Sequence, residues 1–124
     1  MMKALVLNQV KTPLTEMERD APIPGPGEVV VSLKAAALNR RDFWITQGLY
    51  PGIRTPVILG SDGAGVVTSV GAPDADGSWV GREALMNPGI DWGARVEAQA
   101  GAFEVLGMPR DGTFAEQVVV PVSQ

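Results

Sequence analysis

Residues 56–67 read Pro56-Val57-Ile58-Leu59-Gly60-Ser61-Asp62-Gly63-Ala64-Gly65-Val66-Val67, and this stretch decides the fold class. Its glycines invite comparison with the phosphate-binding turn of a doubly wound α/β domain. That turn needs G-x-G-x-x-G between a strand and a helix. Counted from Gly63, the third glycine position holds Thr68, and the chain continues through β-branched residues rather than helix formers. The stretch therefore reads as a tight bend feeding a strand over 63–70, where glycine permits close backbone approach. The other phosphate loop, G-x-x-x-x-G-K-[ST], does not occur either. A mainly β architecture remains.

The flanking sequence agrees. Residues 3–8 and 14–19 alternate as two strands, and 28–36 is a strong one carrying Val29, Val30, Val31 and Leu33. Between them lies Ala21-Pro22-Ile23-Pro24-Gly25-Pro26-Gly27, a connector, because proline cannot donate to a ladder. Residues 79–86 and 112–121 read as further strands, and 73–78 as the turn before the first of these. Residues 39–47 form the one helical candidate: Asn39 can cap it, Asp42 stands at the capping-box position, and Gly48 can end it. Residues 87–111 have weak periodicity and read as a long lobe. One or two short helices are thus expected within a single domain over 1–124. The stop at Val122-Ser123-Gln124, directly after a strand, suggests a piece of a longer chain.

Composition removes whole classes of chemistry. The chain has 124 residues, no Cys and no His, so disulfides, thiolate nucleophiles, imidazole bases and zinc held by nitrogen or sulfur are all excluded. A formal net charge of −4 argues against a nucleic-acid partner. No apolar run approaches the roughly 18 residues that cross a bilayer, and no targeting segment is visible at the start, so a cytoplasmic location is expected. Asp74-Ala75-Asp76-Gly77 is a fragment of a calcium loop without its distal acidic ligands, and reads as a hairpin turn.

The informative group is Asn39-Arg40-Arg41-Asp42. Two cations at a helix's positive end should cost roughly 0.3–1 kcal/mol each. The bland account is that both arginines snorkel to solvent and pair with Asp42 or another acid. The functional account is an anion site suited to a pyrophosphate. Trp44 and Tyr50 flank the same region, as packing residues or as walls of a substrate pocket.

Taken in order, these motifs resemble one family. A Lys-Ala-Leu-Val-Leu strand leads to Pro24-Gly25-Pro26-Gly27-Glu28, then Asn39-Arg40-Arg41-Asp42, Gly48-Leu49-Tyr50-Pro51, the 56–67 stretch and Gly112-Thr113-Phe114-Ala115-Glu116. The set resembles the N-terminal, GroES-like half of medium-chain dehydrogenases/reductases. The resemblance implies a partly open β-barrel followed in the whole protein by a Rossmann domain, absent here, that carries NADPH or NADH. Zinc-dependent members have Cys where this chain has Asn39 and His-Glu where it has Ser61-Asp62, and a four-Cys zinc lobe where it has residues 87–111. The chain is therefore more similar to the zinc-free, quinone-oxidoreductase-like and enoyl-reductase-like branch.

That resemblance implies roles. Arg40 falls where members contact the cofactor pyrophosphate; Asn39, Asp42 and Trp44 line the substrate cleft; Ser61 and Asp62 form the floor of the lost metal site. Asn39 and Asp42 are the catalytic candidates, with Asn39 orienting the substrate carbonyl, and Tyr50 joins the pocket. No metal is expected. Without a Lewis acid the chemistry shifts from alcohol oxidation to hydride reduction of a quinone or an activated C=C or carbonyl. The whole protein is expected to be a homodimer acting on a small molecule, and this portion alone to be inactive. The alternative is a non-catalytic GroES-like binding or assembly module.

Overall fold

The computed structural model describes residues 1–71 and 77–122. Strand β1 (Met2–Leu7) shows the alternation expected of a half-buried strand: Met2, Ala4 and Val6 point inward while Lys3 and Leu5 face solvent. It pairs antiparallel with β2 (Thr15–Arg19) on one side and with the two-residue β4 (Val57–Ile58) on the other. The second sheet runs in the order β6 (Glu83–Leu85), β5 (Asp62–Val70), β3 (Glu28–Ala37), β9 (Gln117–Pro121). A small hairpin-like pair, β7 (Gly89–Ile90) with β8 (Glu104–Val105), lies within the lobe.

The two sheets join along one seam. Leu5 N–H donates to Phe114 O at 2.8 Å and Glu116 N–H to Lys3 O at 3.1 Å, while Leu33 N–H reaches Glu116 O at 2.8 Å. Residues 114–116 thus bond to β1 and β3 together, and the barrel is closed there and open at the β6 edge. Register shifts between Val30 and Val31 and between Leu33 and Ala35 bend the long β3–β5 pair around the core, as bulges do. That core is built from Val29, Val31, Val67, Ile90, Leu106, Val118 and Val120. A second cluster of Leu7, Val57, Leu59 and Met108 receives Ile45, the fully buried anchor of helix α1 (Arg40–Thr46).

Several expectations are corrected. The expected strand over 79–86 begins instead with a 3-10 turn, Gly77–Trp79, and only Glu83–Leu85 is extended. Gly81, at φ +90°, turns the chain between them, and Arg82 lies over the Trp79 ring at 4.9 Å. The strand expected over 112–121 starts at Gln117, because 112–116 serve as the seam. The short strands β4, β7 and β8 were not anticipated; two residues carry no readable period. The turn over 73–78 and the calcium-loop fragment fall mostly on residues 72–76, outside the described residues. No helix among the described residues is long and apolar enough to cross a membrane.

Candidate active site

The site is assembled where α1 meets the bend before β5. Asn39 takes the N-cap position with extended backbone (φ −120°, ψ 156°), and its N–H donates to Asp42 Oδ2 at 2.9 Å. The other oxygen of Asp42 accepts from Gly60 N–H at 3.2 Å. Asp42 is 4% exposed, so a buried carboxylate is satisfied by two backbone donors rather than by a cation. Asn39 Nδ2 donates to Asp62 Oδ2 at 3.0 Å. Because a carboxylate only accepts, this bond fixes which end of the Asn39 amide faces Asp62. It leaves the second N–H of the amide without a partner among the described residues.

Ser61 is also 4% exposed, and its hydroxyl donates to Leu106 O at 2.7 Å. Its side chain is thus turned toward the lobe. Thr113, 1% exposed, donates to Asp62 O at 2.9 Å and ties the start of β5 to the seam. A groove of about 390 Å³ opens beside Asp62, between Ala35–Ala37 on β3, Gly63 and Ala64 on β5, and Leu85 and Met86. Asp62 is the charged group on a wall otherwise made of small and apolar side chains.

The arginines part company. Arg40 is exposed and has no hydrogen bond or ion pair among the described residues. Arg41 runs inward: NH1 donates to Ser61 Oγ at 3.0 Å and Leu106 O at 3.2 Å, and NH2 to Met108 O at 3.0 Å. Its guanidinium stacks over the Tyr50 ring at 5.1 Å. The expected pairing of these arginines with Asp42 or another acid is therefore absent among the described residues. The physical reason is helical phase: Arg41 stands one turn before buried Ile45, so it shares the inner face. That spacing was readable; the carbonyls that receive the side chain, on residues far away in sequence, were not. Tyr50 thus packs under Arg41, while Trp44 is 43% exposed, edge-to-face with Phe43 at 5.3 Å, and does not line the groove beside Asp62.

Zinc does not fit this donor set. Zinc sites in proteins are built mainly on thiolate and imidazole, of which the chain has neither, with carboxylate as a further ligand. Among the described residues no three acidic, His or Cys side chains gather closely enough to hold a metal ion. The polar side chains at the α1–β5 bend include an amide bonded to a carboxylate and an inward-turned hydroxyl.

Comparison with known proteins gives the family. The chain is 42% identical over 97 residues to the zinc-type alcohol dehydrogenase-like protein C1773.06c of Schizosaccharomyces pombe, covering 77% of this chain and 28% of that protein. It is 36% identical over 113 residues to the trans-enoyl reductase tndF of Aspergillus flavipes, covering 90% of this chain and 29% of that one. The crystal structure of an NAD-dependent alcohol dehydrogenase superposes with a TM-score of 0.88 at 39% identity, over 99% of this chain and 38% of that one. The chain therefore spans under two-fifths of the length of these relatives. Residues 25–124 match the model of the alcohol dehydrogenase GroES-like domain, and with the mainly β barrel and the α1–β5 site in place, this chain belongs to that oxidoreductase family.

Proposed function

We propose that this chain is the substrate-side domain of an NAD(P)H-dependent reductase that works without zinc on a quinone or an activated C=C or carbonyl. The observation that carries the reading is the Asn39–Asp62 pair beside the open groove, an oriented amide with a spare N–H among the described residues. A trans-enoyl reductase and an NAD-dependent dehydrogenase among the relatives support the reaction type and the cofactor class.

The nicotinamide, bound mainly by the domain expected to follow this one, supplies the hydride. The residues here supply position and charge. Asn39 donates its free N–H to the substrate oxygen, which gains negative charge as the conjugated bond is reduced. Asp62 holds the amide in that orientation, and Asp42 holds the Asn39 backbone, so the donor is set before substrate arrives. Asp42 is in this reading a positioning residue as well as the helix cap. Arg40, exposed and without a partner among the described residues, is suited to the cofactor pyrophosphate. Trp44 forms part of the rim, Tyr50 backs the site beneath Arg41, and Ser61 forms the floor. The whole protein is read as a cytoplasmic homodimer, and this domain alone as inactive.

The test is NAD(P)H oxidation by the whole protein against a panel of quinones and enones. Turnover of at least one acceptor is expected, and Asn39→Ala should lower kcat/KM by about 10²-fold, the usual cost of one oxyanion donor. Failure on every acceptor, or unchanged kinetics in Asn39→Ala, refutes the reading.

A further inference from the structure

Arg41 carries a charge that no carboxylate answers among the described residues. Its donors are spent on a hydroxyl and two carbonyls belonging to separate parts of the chain: Ser61 at the bend before β5, and Leu106 and Met108 in the lobe. Leu106 O accepts from Arg41 and Ser61 at once, so the three groups form a closed triangle. Immediately behind it the lobe backbone rests on the site backbone: a Cβ on Gly107 would lie 2.8 Å from Gly60 O. The first turn of α1 thereby grips the Gly60–Ser61 dipeptide with both signs of charge. Asp42 takes the N–H of Gly60, and Arg41 takes the hydroxyl of Ser61. The next residue is Asp62, which orients Asn39.

We propose that Arg41 is a positioning residue: it locks residues 106–108 of the lobe onto Ser61 and, through the hydrogen-bonded Gly60–Ser61–Asp62 run, sets the Asn39–Asp62 pair. The proposal rests on the reductase reading for its kinetic part and on the geometry alone for its structural part. A planar fork suits the task because it reaches a hydroxyl and two carbonyls together and stays charged at every working pH. An ammonium can keep the charge but not the whole fork.

Two measurements on the whole protein decide it. Hydrogen exchange in Arg41→Met should speed the amides of Leu106, Gly107 and Met108 at least tenfold, while Val30 and Val67 in the central sheet keep their rates. In turnover, Arg41→Met should lower kcat about tenfold with KM for the nicotinamide changed by less than about twofold. Arg41→Lys, the safer variant for folding, should recover part of kcat and acquire an alkaline limb in its pH profile that the arginine protein lacks, as a partly buried lysine deprotonates. Unchanged exchange at 106–108, acceleration spread evenly over the sheet, or a kcat unaffected by Arg41→Met overturns the proposal. If no acceptor is turned over at all, the reductase reading fails, and the exchange data still decide whether the clamp exists.

Discussion

Replacing Asp42 by Asn tests the site at its most constrained point. The two side chains have the same shape, so the change isolates charge and donor pattern. Asp42 is 4% exposed and accepts from Asn39 N–H at 2.9 Å and Gly60 N–H at 3.2 Å. An amide offers one acceptor oxygen and one donor nitrogen. One bond therefore survives as a neutral one, losing about 1 kcal/mol, while the other sets an NH2 group against a buried N–H and loses about 1.5–3 kcal/mol. The sum is about 2.5–4 kcal/mol. For a domain of this size that corresponds to a fall in Tm of roughly 10–15 °C. Thermal unfolding followed by circular dichroism at neutral pH is the assay, with Asp62→Asn as control. Asp62 is exposed and makes one side-chain bond, so its variant should stay within about 0.5 kcal/mol of the parent. An Asp42→Asn protein melting within about 2 °C of wild type would refute the view that this carboxylate holds α1 to the β5 bend.

Two further outcomes follow from the same geometry. Gly112→Ala should lower stability by about 1–3 kcal/mol, read as a shifted denaturant midpoint, because a Cβ there runs into the carbonyl oxygen of Gly60 and the backbone of Gly107. Arg40→Ala in the whole protein should raise KM for NAD(P)H about tenfold with kcat held within twofold, and the difference should shrink as salt is added, since an exposed cation is screened.

Much of the barrel was legible from local pattern. The valines of β3 and β9 and the alternation of β1 announce strands without any partner, because a half-buried strand repeats every two residues. The Thr68 interruption and the β-branched run after Gly65 excluded a nucleotide loop for the same reason. Asn39 and Asp42 announced a helix start through spacing alone, since capping is a contact between residues three apart. The absence of Cys and His removes thiolate and imidazole donors without reference to any coordinate.

Contacts between distant residues were a different matter. Residues 112–116 look like the start of a strand, and become a seam only because two sheets compete for their backbone groups. Asp42 looks like a cap, and its second bond goes to Gly60, eighteen residues on in the chain. Arg41 looks like a solvated cation beside an acid, yet its partners are a hydroxyl and two main-chain carbonyls that lie 20 to 67 residues on in the chain. Every residue owns a carbonyl, so no residue type marks the one that will receive a guanidinium. Periodicity and residue chemistry act over a turn or a strand and can be read from the string. Which backbone groups are left over for a side chain to satisfy depends on how the sheets close, and only the packed fold decides that.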